Sequence, residues 1–357
     1  MPDASMKAGI IGLEGVGKRT LFRLLTRAAG TGTGREEQYG VLKVPDDKLP
    51  VLTRIHDSRK TTYATIELVL IPSLAKDRRD KIDLSSLRAV DVLVHVVRAF
   101  EDPSVPHPEG SVDPVRDLEV LELELTLSDL GVVERRLERI EADVKKGRKG
   151  DAGEIPLLQR ARDALAEGRS LRTSLAHEEL DALRGYALLT AKPMLVVVNV
   201  GENEAATSDL PDRMGLSRFQ AEGSFAFVGV SAKIEAELAE LSADEATAFR
   251  NDMGLNESVV ARIVRSTFEL MKLVTFYTAG DPESRAWVVP RNTKAVEAAG
   301  AIHSDMARGF IRAEVVPYGI LVREGSWSAC RDKGLLRLEG KEYPIAEADV
   351  VLFRFNV

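Results

Sequence analysis

A chain of 357 residues, 44% hydrophobic and 29% charged, has the composition of a soluble globular protein and the length of roughly two or three domains. Its formal net charge of -7 argues against non-specific nucleic-acid binding by the whole surface, while local basic patches stay open. One cysteine, Cys330, excludes an intramolecular disulfide and a multi-cysteine zinc site; with no signal peptide and no spanning apolar run, the expectation is a cytoplasmic protein with no membrane partner. In chain order, KAGIIG (7–12) reads as a short buried strand and KRTLFRLLTRAAG (18–30) as a helix closed by a glycine. ATIELVLI (64–71) and VDVLVHVVRAF (90–100) are further strands, rich in β-branched residues, as parallel α/β units require. From about Pro114 to Thr190 the texture is charged and leucine-spaced. Leu123, Leu127, Leu130, Leu137, Ile140 and Val144 recur at threes and fours or their sum, which predicts one helix face. LEVLELELTL also fits a period-two strand, but its length and sequel favour helix. A second helix near PLLQRARDALAEG, after the loop KKGRKGDAGEIP, makes an inserted antiparallel pair. PMLVVVNV (193–200) and SFAFVGVSA (224–232) return to strand. After about Leu273, AWVVP, GFIRAEVVPYG, LLRLEGKEYPI and DVVLFRFNV are short strands around one helix, TKAVEAAGAIHSDMARG, in a small α+β domain. No internal repeat or low-complexity tract interrupts this order.

The stretch GLEGVGKRT carries the first chemical signal. Gly12, Gly17 and Lys18 satisfy G-x-x-x-x-G-K-[ST], the loop whose backbone N–H groups surround phosphates at a helix N-terminus. Gly15 and Val16 lie in its turn, and Lys18 supplies a point charge for the β- and γ-phosphates. Arg19 stands where the metal-ligand hydroxyl belongs, and Thr20 comes one place late, about 100° further round the helix. Glu14 places a carboxylate near the γ-phosphate. Arg19 either takes over part of the cation's charge there or is a solvated helix residue. The second metal ligand is an aspartate in D-x-x-G after a later strand, and IELVLIPSLAK has Leu70 and Ser73 at those places. With both protein ligands missing, the residues do not support ordinary Mg2+-dependent turnover.

NVGE, Asn199 to Glu202, follows the strand MLVVVNV where guanine-specific P-loop proteins have N-K-x-D; Val200 takes the lysine position, and an N-x-x-E version weakens guanine selection. Ser231, Ala232 and Lys233 then form an S-A-K loop for the far side of a base pocket. The basic runs RRLERIEADVKKGRKG (135–150) and KDRRDK (76–81) read either as solvated faces or as RNA contacts. His56, His95, His177 and His303 show no metal-ligand spacing, and no metal site is expected.

These motifs, together with HVVRAFED (95–102), ELELTLSDL (122–130), TFYTAG (275–280), RAWVV (285–289), AAGAIHSDMARGFIRAEVV (298–316), LRLEGKEY (336–343) and the ending FRFNV, resemble the YchF-type Obg-related ATPases, or Obg-like ATPases, over nearly the whole chain. The resemblance implies an α/β P-loop NTPase domain of the translation-factor class (1–113 and 191–274), an inserted antiparallel helical arm (114–190), and a C-terminal TGS domain of ubiquitin-like β-grasp shape (275–357). It further implies ATP bound in preference to GTP, slow hydrolysis, and ribosome or RNA association through the helical arm and TGS domain. His107 occupies the segment of a histidine proposed to contribute to hydrolysis. Glu14, Gly15, Arg19, LIPS (70–73) and the charged LAKDRRDKIDLSS depart from the family's loop, D-x-x-G and glycine-rich mobile segment. The expectation is therefore a regulator that binds ATP or GTP with hydrolysis weak or lost. The alternative is a pseudo-NTPase adaptor that holds RNA or ribosome without nucleotide.

Overall fold

The computed structural model describes residues 6–27, 36–72, 84–146, 152–204, 209–220, 224–255 and 257–356. Lys7–Gly40 with Leu68–Leu270 form one compact unit, and Val41–Glu67 with Met271–Val357 form a second. The strands are β1 (Met6–Ile11), β2 (Gln38–Lys43), β3 (Thr61–Thr62), β4 (Thr65–Leu70), β5 (Val92–Ala99), β6 (Met194–Val200), β7 (Phe225–Val230), β8 (Leu273–Ala279), β9 (Ser284–Pro290), β10 (Phe310–Pro317), β11 (Arg337–Glu339) and β12 (Asp349–Phe355). The helices that matter below are α1 (Lys18–Thr26), α2 (Lys48–Ile55), α3 (Ser85–Arg88), α4 (Pro114–Lys145) and α5 (Ile155–Ala166).

The first sheet has the order β2-β4-β1-β5-β6-β7. β1, β5, β6 and β7 run parallel, with Ile10 opposite Val94, Val94 opposite Leu195 and Val196 opposite Phe227. Every residue of β6 is buried, because helices cover both faces of such a sheet. The predicted strands at 7–12, 64–71, 90–100, 193–200 and 224–232 are β1, β4, β5, β6 and β7. β2 escaped the sequence reading: only Leu42 is buried while Tyr39, Val41 and Lys43 are exposed, so no apolar run marks it. The helix predicted through Gly30 ends earlier, at Thr26, where Arg27 takes a left-handed φ of 53°. Gly30 itself lies outside the described residues.

α4 starts where Asp113 accepts the Arg116 N–H and Pro114 occupies the first turn. It then runs for 32 residues. Its first half lays Leu118, Leu121 and Leu125 on Leu93, Val97 and Met194 of the sheet. Its second half packs Val133, Leu137 and Ile140 against Leu158, Ala161 and Leu165 of α5. The predicted stripe is corrected here: Leu137 and Ile140 are buried and Leu130 partly so, but Leu123, Leu127 and Val144 are 51%, 54% and 47% exposed. Leucines stand all round this helix, and spacings of three and four link residues on either face equally well.

In the second unit the sheet order is β11-β10-β12-β8-β9-β3. Alternate residues point to opposite faces. Phe276 joins Val289, Ala298, Phe310 and Phe353 on one side, and its neighbour Tyr277 joins Leu49 and Leu52 of α2 with Val316, Leu321 and Cys330 on the other. The single helix predicted over 293–309 is two, Ala295–Ile302 and Ser304–Arg308. They are separated by His303, whose Nδ1 accepts the Asp305 N–H. Among the described residues no helix is long and apolar enough to cross a membrane.

Candidate nucleotide-binding site

β1 delivers the chain into the glycine-rich turn, and α1 begins at Lys18 directly after it. Gly12 (φ 147°) and Gly17 (φ 93°) both adopt left-handed backbone, and a Cβ there would stand 2.4 Å from the Val96 carbonyl and 2.3 Å from Asn199 Nδ2. Only glycine lets the turn lie this close to β5 and β6. Gly17 caps α1 without a side-chain bond, at a helix N-terminus, where the dipole favours an anion. Lys18 is 5% exposed, and its ammonium donates to the Gly12 carbonyl at 2.5 Å. Burial, and then the charge of Arg19, lower its pKa to about 7, against the opposing pull of Glu14. Glu14 and Arg19 are exposed and Thr20 half-buried.

A shallow depression open to solvent lies beside this lysine and is lined by Lys18, Arg19, Glu36, Gln38, Leu70, Ile71 and Pro72. The Ile71 N–H donates to the Ile10 carbonyl at 3.0 Å, fixing the end of β4 next to β1. The structure thus brings Leu70 to the mouth of the phosphate loop. Ser73 lies outside the described residues, as do KDRRDK (76–81) and the last part of 135–150. Glu36 and Gln38 were missed in the sequence; they stand in no motif, and only the fold of β2 carries them to the depression.

Asn199 ties two loops together. Its Nδ2 donates to the Val16 carbonyl at 2.9 Å, and its Oδ1 accepts the Ala232 N–H at 3.0 Å. The phosphate loop and the S-A-K loop are therefore held by one buried side chain. Val200 and Ser231 are buried, and the Ser231 hydroxyl has no partner among the described residues. Glu202 and Lys233 form an exposed ion pair at 2.6 Å, which raises the Lys233 pKa.

His107 stands further along, its ring buried. Its Nε2 is 2.9 Å from Asp117 Oδ2, and its Nδ1 accepts the Glu109 N–H at 3.2 Å, so both nitrogens are engaged. Among the described residues no group of three or more His, Cys, Asp or Glu side chains could hold a metal ion. The two positions read in the sequence as those of the Mg2+ ligands, Arg19 and Leu70, have no side-chain oxygen to donate. These two side chains do not fit that ion.

Over 365 residues the chain is 37% identical to the ribosome-binding ATPase YchF of Bacillus subtilis (strain 168), covering 99% of this chain and 100% of that protein. This chain belongs to the YchF family of Obg-like ATPases. It is also 33% identical to Obg-like ATPase 1 of Oryza sativa subsp. indica, over 99% of this chain and 93% of the relative. The structure of the Schizosaccharomyces pombe YchF GTPase superposes with a TM-score of 0.81 at 26% identity, covering 99% of each chain. A sequence-family model described as "YchF-GTPase_C: Protein of unknown function (DUF933)" matches residues 273–356. The architecture is accordingly the YchF one, a P-loop NTPase domain followed by a C-terminal domain. Within that architecture, Arg19 and Leu70 line the same depression beside Lys18.

Proposed function

We propose that this chain binds a purine nucleoside triphosphate, ATP or GTP, at the phosphate loop, and that it does so as a ribosome- or RNA-associated regulator with weak or absent hydrolysis. The lining of the depression supports this reading: two cations, Lys18 and Arg19, face the apolar Leu70–Pro72 edge, with Glu36 as the carboxylate among the lining residues. Lys18 gains its full charge when an anion arrives, and Arg19 supplies a second, permanent one. The guanidinium takes over part of the charge that a metal ion contributes at β- and γ-phosphates. Asn199, Ala232 and the Glu202–Lys233 pair form the base end. Without an oxygen ligand at 19 or 70, nothing at those two positions fixes an ion for in-line attack, and turnover suffers more than binding does. In this scheme His107 serves hydrolysis only if its bonds to Asp117 and Glu109 are broken.

Relatives are named ribosome-binding ATPases, which supports a ribosomal partner. We assign the contact to the helical arm (114–190) and the TGS-like C-terminal domain (275–357). Arg135, Arg139 and Lys145 are exposed on α4 and Lys146 directly after it, while Arg312, Arg331 and Arg354 surround the carboxylate of Glu314 on the C-terminal sheet.

Calorimetric titration of ATP and of GTP into the protein, each with Mg2+ and with chelator, tests the reading. The expected result is binding whose affinity changes less than about threefold on chelation, with turnover near background. A hydrolysis rate that rises with Mg2+ and falls for Lys18→Ala would overturn the impaired-turnover claim. No binding under any condition would leave the adaptor without nucleotide.

A further inference from the structure

Between β5 and α4 the chain runs from Phe100 to Asp113 without a regular element, yet buried side chains fix its course. Arg98, at the end of β5, is 1% exposed and donates to three carbonyls of this segment: Nε to Phe100 at 2.9 Å, Nη1 to Val105 at 2.8 Å and Nη2 to Asp102 at 3.3 Å. The Asp102 carboxylate closes the turn by accepting the Ser104 N–H and hydroxyl. At the far end the anchor is His107. Because its Nδ1 accepts the Glu109 N–H, the ring proton sits on Nε2 and is donated to Asp117. Asp117 is fully buried in the first turn of α4, and its other oxygen accepts from Arg116 Nη2 at 2.9 Å.

The middle of the segment lies on the phosphate loop. A Cβ built on Gly15 would stand 3.1 Å from Val105 Cγ1, 3.6 Å from Arg98 Nη1 and 3.9 Å from the Pro106 carbonyl. The loop is thus bedded on β5 at Gly12, clamped by Asn199 at Val16, and covered at Gly15 by this third contact.

We propose that residues 100–113 are a strap that holds the phosphate loop in its anion-receiving shape, with Arg98 and Asp117 as positioning residues that join the loop to the helical arm. Convergent backbone N–H groups bind a phosphate well only if their ordering is complete before the ligand arrives; otherwise the entropy of ordering is subtracted from the affinity. Asp117 belongs to α4, so a shift of that helix moves His107 and, through Pro106, the contact on Gly15. Nucleotide and arm then influence each other reciprocally. The proposal rests on nucleotide binding at this loop.

Hydrogen exchange and ATP titration on the full chain test it, with three variants. Asp117→Ala frees the far anchor, Val105→Ala removes the contact on Gly15 from a side chain that is 37% exposed, and Lys18→Ala is the control for the nucleotide site itself. Without nucleotide, amides of residues 14–18 exchange faster in the first two variants. ATP affinity falls about tenfold for Asp117→Ala and about threefold for Val105→Ala. In the unaltered chain ATP slows exchange at residues 114–118, and Val105→Ala removes that effect. A purely structural Asp117 would leave exchange at 14–18 unchanged. If Asp117→Ala does not fold, Val105→Ala decides alone. Loss of binding in Lys18→Ala, with the strap variants indistinguishable from the unaltered protein, overturns the strap and spares the nucleotide site. ATP binding unaffected by Lys18→Ala, or no ATP binding at all, overturns both.

Discussion

Lys18 sets the pH behaviour of the phosphate site. Burial lowers its pKa in the folded protein to about 7, below the ordinary 10.5. Between those values the unfolded chain holds the proton that the folded chain has given up, so the contribution of this group to stability rises with pH across that window. Nucleotide binding runs the other way. A triphosphate favours the ammonium form, so above pH 7 binding takes up a proton and affinity falls as the solution becomes more alkaline. Titrations at pH 6.5, 7.5 and 8.5 should show ATP binding weaken by roughly three- to thirtyfold across the range. The same series on Lys18→Ala should lose most of that slope. A flat profile in the unaltered protein would mean that the buried ammonium does not meet the phosphates.

At the scale of the element, α4 shows how one helix serves two partners. Its first half is built into the sheet core through Leu118, Leu121 and Leu125, and its second half into the contact with α5. Asp129, fully buried, accepts from the Thr190 N–H and hydroxyl and pairs with Arg88 of α3, which fixes the helix at its middle. The exposed leucines take no part. Leu125→Ala should cost about 2–5 kcal/mol in urea unfolding, the usual range for emptying a filled core site. Leu123→Ala should stay within roughly 0.5 kcal/mol of the unaltered protein. Equal losses at the two positions would contradict the burial seen along this helix.

At the scale of the molecule, the second compact unit is not a contiguous stretch. α2 places Leu49 and Leu52, both fully buried, beneath β8, β10 and β12. The Tyr277 hydroxyl donates to Asp46 at 2.8 Å, across 231 residues of sequence. Burial and the nearby carboxylate raise the pKa of that phenol, so it remains a donor across the whole physiological range. Ser58 likewise donates to the Gly280 carbonyl at 2.7 Å. A fragment of residues 271–357 therefore exposes one face of its own sheet. It should lack a cooperative thermal transition by circular dichroism, even though it spans the family match at 273–356. A sharp melt of that fragment would show that the core closes without α2.

The sequence alone determined the glycine-rich turn between β1 and α1 and five of the six strands of the first sheet. A parallel strand covered on both faces is an unbroken apolar run, and glycines required at Gly12 and Gly17 can be read as letters. Only the tertiary structure decided which leucines of α4 are buried, since residues 100° apart populate every face of a leucine-rich helix. It alone placed Glu36 and Gln38 in the depression, assigned Val41–Glu67 to the C-terminal unit, and set Arg98 on three carbonyls beside Gly15. Those contacts are made to backbone atoms or between distant segments. Backbone acceptors are the same at every residue, so no pattern of side chains along the chain announces them.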